Sequence, residues 1–299
     1  IPNINVFMIA VKYILILILI ISLKNILKKN TLRLAICTMA KDENLYIKEY
    51  LEYYSKLGFD HIYIFDDNEK ENEKITKILE NKFKKFVTIY NYRAIINNQR
   101  IAFTLCYEMI KNKYDWIFMN DIDEYLVIIN DSLKHYLLQN QFRKCDFIKF
   151  HWVLPSDNNL LYYDNRTLFE RFKGPYKKES VIKTIVRGNI NDIQFGIHTP
   201  MISPHNNVSC DNRGNLLTIK DNFAHVISNI NIEKAFIIHY KYKSTEEYIK
   251  KLKRGYSWEN LEFIKRRMKQ YFKDNNLTLE KKNYFERELN INLSELNLK

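Results

Sequence analysis

Residues 115–125 read Asp-Trp-Ile-Phe-Met-Asn-Asp-Ile-Asp-Glu-Tyr, and the rest of the chain is organised around this stretch. Its apolar part, from Trp116 to Met119, predicts a short buried strand. Three carboxylates follow within four residues: Asp121, Asp123 and Glu124. Carboxylates repel one another unless a cation lies among them, and burial at a strand end strengthens that repulsion. We therefore expect a positive group at this point.

The spacing of Asp121 and Asp123 predicts a metal site. In extended geometry, side chains two residues apart point to the same side and can share one hard cation. Mn²⁺ or Mg²⁺ is the expected cofactor, held against a diphosphate. An Asp-x-Asp pair also arises by chance in a chain rich in Asp and Asn, where an acidic strand end is often a solvated loop. Context has to decide between the two interpretations.

The composition is that of a globular protein, with 299 residues, 46% of them hydrophobic and 14% aromatic. This length permits one large or two small domains with a well-buried core. Neither Gly-x-Gly-x-x-Gly nor Gly-x-x-x-x-Gly-Lys-Ser/Thr occurs, which disfavours classical dinucleotide-binding and phosphate-loop folds. The net charge of +12 fits attraction to polyanions or anionic lipid, and equally an ordinary lysine-rich surface. We expect no nucleic-acid partner, because carboxylates at strand ends would repel a polyanion.

The cysteine spacing favours neither a zinc site nor a disulfide framework. No Cys-x-x-Cys and no paired Cys/His spacing occurs, and the four cysteines are far apart: Cys37, Cys106, Cys145 and Cys210. This usage points to a reducing compartment.

Residues 1–30 are predicted to form a hydrophobic anchor helix. Val6 to Leu23 is apolar apart from one Lys and one Ser, and about 20 apolar residues span a bilayer. A buried hydrophobic helix is the alternative. The positive-inside rule places the larger part of the chain in the cytoplasm, because four basic residues follow the segment: Lys24, Lys28, Lys29 and Arg33. The sequence thus predicts a single-pass membrane protein with a cytoplasmic catalytic part.

From residue 32 to residue 119, short apolar runs alternate with segments of helical periodicity, and the second half of the chain is less regular. This alternation predicts an α/β fold with a parallel sheet and helices on both faces. The predicted strands cover 32–39, 61–65, 86–90, 116–119, 146–154, 181–186 and 235–240. The predicted helices cover 45–57, 74–83, 100–110, 262–273 and a segment from 244 onward. We expect a catalytic domain over 31–256 and a helical C-terminal extension over 257–299.

Polar clusters follow three of the predicted strands, at the edge where ligands bind in such sheets. Carboxylates and amides there can hydrogen-bond a ribose and a base, while a metal neutralises a diphosphate. Each cluster alone could be a turn or a helix cap, since Asp and Asn favour both. The clusters comprise Lys41, Glu43 and Asn44, then Asp66, Asp67 and Asn68, then Asp121 and Asp123.

Motifs occur in a specific order along the chain. Residues 37–44 read Cys-Thr-Met-Ala-Lys-Asp-Glu-Asn, 58–68 read Gly-Phe-Asp-His-Ile-Tyr-Ile-Phe-Asp-Asp-Asn, and 239–255 contain His-Tyr…Lys-Ser…Glu-Glu…Lys…Arg-Gly. Together with the Asp-x-Asp-Glu segment they resemble family 92 and related family 2-like glycosyltransferases. The resemblance implies a Rossmann-like mixed sheet of the glycosyltransferase A type. It also implies a metal-dependent inverting transfer from a nucleotide-diphosphate sugar, commonly UDP-linked, to a glycan or glycoconjugate hydroxyl.

The resemblance assigns roles by position. Asp121 and Asp123 would hold the metal and the ribose-phosphate, and His239 would complete the metal shell or touch the diphosphate. The nucleoside would lie at Asp66, Asp67 and Asn68, in a pocket bordered by Lys41, Glu43 and Asn44.

An inverting transfer also needs a base on the acceptor hydroxyl. Asp157, in a polar loop after the fifth predicted strand, is the first candidate and Glu170 the second, although either could be a solvated carboxylate. Trp152 is a candidate for stacking against the acceptor, and His198, in a Gly-Ile-His-Thr-Pro loop, could face the donor or the acceptor.

Two other functions remain open at this point. A non-catalytic membrane-anchored protein could bind polyanions or lipid through its basic surface. A nucleotidyltransferase also holds metal on paired aspartates.

Overall fold

A computed structural model describes residues 32–93, 99–202, 207–218, 224–254 and 261–293, together with Ile16. The anchor predicted in residues 1–30 lies outside this part of the chain apart from that one residue. Within the described residues, no helix is long and apolar enough to cross a membrane. The anchor therefore stays a prediction.

The first half of the chain alternates strands with helices, as the sequence predicts. Its strands are parallel, in the spatial order β3-β2-β1-β4. The elements are β1 (Leu34–Ala40), α1 (Asn44–Leu57), β2 (His61–Asp66), α2 (Ile75–Ile78), β3 (Val87–Asn91), α3 (Gln99–Ile110) and β4 (Trp116–Met119).

The second half is less regular and contains several short elements. They are β5 (Glu124–Ile128), α4 (Leu133–Leu138), β6 (Phe147–Pro155), α5 (Leu168–Arg171), β7 (Tyr176–Arg187), β8 (Gln194–Phe195), β9 (Pro200–Ile202), β10 (Ser209–Cys210), β11 (Ala235–His239), α6 (Thr245–Arg254), α7 (Leu261–Asp274) and α8 (Leu279–Leu289). Strand β7 runs antiparallel to both β4 and β6, and β11 runs antiparallel to β5. The sheet is therefore mixed, because connections without a long crossover helix allow antiparallel neighbours.

Alternating side chains of β1 reach the two faces of the sheet. Ile36 belongs to a core with Tyr50 and Tyr54 of α1. Ala35, on the other face, belongs to a core with Phe103 of α3. This period-two alternation explains why the central strands are apolar on both faces. Because β1, β2 and β4 are parallel neighbours, their carboxyl ends lie at one edge of the sheet.

The C-terminal helices pack on the same core as the sheet. Tyr271 of α7 and Phe285 of α8 are fully buried in the cluster that contains Ile36. The segment that the sequence separates as an extension beyond residue 256 is thus joined to the catalytic domain by an apolar contact. Burial of large aromatic side chains contributes about 1.5–3 kcal/mol each.

The cysteines are paired, so the expectation of no disulfide framework is wrong. Cys37 of β1 is bonded to Cys106 of α3, and Cys145 is bonded to Cys210 of β10. The partners lie 69 and 65 residues apart in sequence, and only the packing of α3 on the sheet and of β10 beside β6 brings them together. Disulfides persist in oxidising compartments. The cysteine argument for a reducing compartment therefore loses its basis.

Candidate active site

Two tyrosines of α1 hydrogen-bond to the turn between β4 and β5 and hold it in position. The hydroxyl of Tyr50 donates to Oδ1 of the fully buried Asn120 at 3.0 Å, and that of Tyr54 donates to the backbone oxygen of Glu124 at 2.8 Å. The backbone N–H of Tyr240 donates to Asp123 O at 2.8 Å. We call residues 120–124 the acidic turn. Its backbone is held by groups from a helix and a neighbouring strand, so its carboxylates are pre-positioned.

A buried lysine lies between two of the three carboxylates. Lys183 of β7 has no exposed side-chain surface, and its Nζ lies 2.8 Å from Asp121 Oδ2 and 3.4 Å from Glu124 Oε2. It also donates to Ile197 O at 2.9 Å. Burial acts to lower the pKa of Lys183, but the two carboxylates raise it above its usual value. Burial raises the pKa of Glu124 well above its usual range although the ammonium group opposes this shift.

Asp123 has a separate set of partners. Its Oδ2 accepts from Lys251 Nζ at 3.0 Å, and its Oδ1 lies 3.5 Å from His239 Nε2. Burial acts to raise the pKa of Asp123, but Lys251 and His239 together hold it well below its usual range. Burial lowers the pKa of His239. The positive charge that the sequence requires at the acidic turn is thus present on lysine side chains.

The donor chemistry of the predicted metal ligands fits Mn²⁺ or Mg²⁺, because carboxylate oxygens and a neutral imidazole are suitable donors. Asp123 and His239 face each other, whereas Asp121 faces Lys183 and the side-chain amide of Gln99. Within the described ranges, no three His, Cys, Asp or Glu side chains are arranged to hold a metal ion. The metal stays a prediction that would require Asp121 to exchange its present partners.

The cluster after β2 divides into structural residues and one ligand-ready carboxylate. Asp66 accepts from Ile75 N at 3.0 Å, and Asn68 Nδ2 donates to Asn44 Oδ1 at 2.7 Å. Asp67 is 6% exposed, and its Oδ2 has no hydrogen-bond partner in the described part of the chain. The same is true of the Tyr92 hydroxyl at the adjoining end of β3. Burial raises the pKa of Asp67 to about 6, with Lys41 opposing the shift.

Two further predicted residues form ion pairs at this edge. Lys41 Nζ lies 2.9 Å from Glu69, and Glu43 lies 2.7 Å from Nζ of the buried Lys243. Lys243 also lies over the ring of Tyr46 at 3.8 Å. Glu43 therefore holds in place a cation that follows β11, close to the acidic turn.

Both predicted catalytic bases, Asp157 and Glu170, make contacts that stabilise the fold. Asp157 is 1% exposed, and it accepts from Lys281 Nζ at 2.6 Å and from the Tyr271 hydroxyl. Glu170 closes a capping box with Thr167 at the start of α5. Neither is brought to the acidic turn by a described contact. A base role for either residue stays a prediction.

The sequence assigns no role to four residues that the structure places at the site: Lys183, Gln99, Tyr92 and Lys251. Lys183 lies within the apolar run Val-Ile-Lys-Thr-Ile-Val of residues 181–186. A lysine flanked by β-branched residues in a buried strand is rarely fully buried without a partner. That signal points to a buried carboxylate, although the sequence does not say which one.

Comparison with known proteins decides the family. A sequence model described as Glycosyltransferase family 92 matches residues 31–282. The chain belongs to glycosyltransferase family 92. A protein of Ricinus communis named as a glycosyltransferase family 92 protein is 23% identical over 94 residues, which cover 31% of this chain and 16% of that relative. The chain thus aligns with a small part of that relative's length.

Family membership confirms the predicted enzyme class, a glycosyltransferase. The mixed α/β sheet with C-terminal helices is confirmed by the structure.

Proposed function

We propose that this family 92 protein has a glycosyltransferase A fold and transfers a sugar with inversion. The donor is a nucleotide-diphosphate sugar, most simply UDP-linked, and the acceptor is a glycan or glycoconjugate hydroxyl. The observation that carries the proposal is the acidic turn at the carboxyl end of β4, with Asp67 and Tyr92 on one side and His239 and Lys251 on the other.

The nucleoside is assigned to the β2 and β3 ends. The unpaired Oδ2 of Asp67 can accept the N3–H of a uracil ring, and the unpaired hydroxyl of Tyr92 can donate to or accept from the ribose or base. A buried polar atom without a partner costs about 1–3 kcal/mol. Binding a base at these atoms would recover that cost, which supports this placement.

The diphosphate is assigned to the acidic turn. When bound by Asp121, Asp123 and His239, Mn²⁺ or Mg²⁺ would supply positive charge to the leaving diphosphate. Lys251 and Lys243 carry positive charge beside Asp123, and they orient and neutralise phosphate oxygens by charge-assisted hydrogen bonds. Lys183 would continue to neutralise Glu124 when Asp121 exchanges its present partners for the metal.

Membrane attachment through residues 1–30 remains part of the proposal. Its support is the apolar composition of that segment. The cytoplasmic orientation rests on the basic residues that follow it, and the two disulfides weigh against that orientation because they favour an oxidising compartment.

The proposal is tested by titrating the purified protein with UDP and UDP-sugars, with and without Mn²⁺, while the melting temperature is recorded. A ligand at 100 times its Kd stabilises the native state by about 2.7 kcal/mol. We expect stabilisation by UDP to require Mn²⁺ and to be lost in Asp123→Asn. Asp192→Asn is the matched control, because Asp192 is exposed and in the left-handed backbone region that Asn tolerates. UDP binding that is equally strong in EDTA and in Asp123→Asn would refute the metal assignment.

A further inference from the structure

Two histidines contact one tryptophan ring beside the acidic turn. The ring centroid of Trp152 on β6 lies 4.2 Å from that of His239 at the end of β11 and 5.1 Å from that of His198. The interplanar angles are 61° and 69°, so both contacts are edge-to-face. His239 is in turn 3.5 Å from Asp123. The aromatic cluster therefore adjoins the carboxylates assigned to the diphosphate.

The loop that carries His198 is fixed in position. Gly196 N donates to Thr199 O at 2.9 Å, which closes a tight turn around residues 197 and 198. Ile197 O accepts from Lys183 Nζ, and the same ammonium group pairs with Asp121. The histidine is thus tied to the acidic turn through one buried lysine.

Polar atoms of this cluster lack partners. Within the described residues, no hydrogen-bond partner exists for Nε1 of Trp152, Nδ1 of His198, Nδ1 of His239 or Oγ1 of Thr199. Trp152, His239 and Thr199 are 9%, 7% and 5% exposed. Buried polar groups are nearly always hydrogen-bonded. Three unpaired atoms in one cluster of rings, with a fourth on Thr199 next to His198 in sequence, point to a polar ligand rather than to an apolar core.

The chemistry of these atoms matches a sugar ring. Pyranose hydroxyls both donate and accept hydrogen bonds, so they can satisfy an indole N–H, imidazole nitrogens and a threonine hydroxyl. Aromatic rings also offer an apolar surface to the C–H face of the sugar. Burial, with the charge of Lys183, lowers the pKa of His198 to about 2, so its imidazole is neutral and one ring nitrogen can accept.

Building on the proposed function, we infer that Trp152, His198, Thr199 and His239 form a pyranose-binding subsite on the β6 and β11 side of the acidic turn. Asp67 lies at the end of β2, on the opposite side of β4 in the sheet order. A nucleotide sugar that crosses the turn from the Asp67 side would place its hexose at this cluster. The hexose of an acceptor glycan has the same chemistry and is the other source.

The test measures three ligand classes by isothermal titration in Mn²⁺, using the full chain: UDP, UDP-glucose or UDP-galactose, and methyl glucoside or methyl galactoside. The variants are His198→Ala and Trp152→Phe, with His135→Ala as the control because the His135 side chain is 72% exposed. The two site variants should weaken a sugar ligand about tenfold, because one hydrogen bond contributes about 1.4 kcal/mol. Their affinity for UDP should stay within about twofold of wild type, a smaller change than one such bond would cause.

The outcomes distinguish a donor hexose from an acceptor hexose, and failure of the subsite from failure of the proposed function. A loss confined to UDP-sugars assigns the subsite to the donor hexose, and a loss for methyl glycosides assigns it to the acceptor. Unchanged affinity for all sugar ligands in His198→Ala and Trp152→Phe overturns the subsite. If wild type binds methyl glycosides but not UDP, the donor assignment fails while the subsite stands. If Trp152→Phe does not fold, His198→Ala on the loop decides.

Discussion

Replacing Lys183 by Met should destabilise the protein although the hydrophobic volume of the strand is preserved. The ammonium group is fully buried and serves Asp121, Glu124 and the Ile197 carbonyl at 2.8, 3.4 and 2.9 Å. Removing one partner of a buried ion pair costs about 3–5 kcal/mol. The low end applies here because the Asp121 side chain is 26% exposed and can be hydrated.

A loss of about 3 kcal/mol corresponds to a melting temperature about 6 °C lower, taking roughly 2 °C per kcal/mol for a chain of this size. Differential scanning fluorimetry measures it directly. Lys250→Met is the control, because Lys250 is 68% exposed and pairs with Glu246 within one helix, where such pairs contribute less than about 0.5 kcal/mol.

A double variant separates the ion pair from general damage to the strand. Asp121→Asn combined with Lys183→Met removes both charges, and it should be more stable than the sum of the single effects by at least about 1 kcal/mol. The reasoning fails if Lys183→Met has the same melting temperature as the Lys250→Met control. It also fails if the effects of Asp121→Asn and Lys183→Met on stability are additive.

Three further outcomes follow from the structure. Replacing Cys145 and Cys210 together by Ser should lower the free energy of unfolding by about 4 kcal/mol, because their bond closes a loop of 65 residues in the unfolded chain. Wild-type protein that is denatured without reduction should show no titratable thiol. Asp157→Asn should lower the melting temperature and leave kcat of the folded fraction unchanged, since its carboxylate is paired with Lys281 at 2.6 Å; lost kcat with unchanged melting would instead support the base role. Burial raises the pKa of Asp67 to about 6, whereas in the unfolded chain the same carboxyl releases its proton near pH 4. The contribution of Asp67 to stability therefore falls as pH rises from about 4 to about 6. Melting temperatures recorded over this pH range should lose that decrease in Asp67→Asn.

Local sequence determined the main strands and helices well. The run from Trp116 to Met119 is a strand with the predicted bounds, and the helix predicted over 100–110 begins one residue earlier, at Gln99. The spacing of apolar residues along a segment shows which of its side chains are buried. That spacing is the same whichever element the segment packs against, so it can be recognised without knowing the tertiary structure. The three-carboxylate turn was also evident, because charge density at the end of an apolar run is a local property.

Pairing was decided by tertiary structure. Strand β7 carries Lys183 beside β4, and it runs antiparallel to that strand. The sequence does not show that β7 pairs with β4, so Lys183 could not be predicted as the counter-ion of Asp121. The same reason explains the missed disulfides, whose partners are 69 and 65 residues apart.

Side-chain environment separated residues that the sequence treated alike. Asp66 and Asp67 are adjacent and both buried, yet Asp66 accepts from the backbone of Ile75 and Asp67 keeps an unpaired oxygen. Asp157 looked like a base in a polar loop, and the C-terminal helices enclosed it with Lys281. The sequence by itself determined the acidic turn and the family motifs, because these are properties of contiguous residues. Only the tertiary structure decided which carboxylates are neutralised within the protein and which polar atoms remain for a ligand, because that depends on side chains brought in from distant strands and helices.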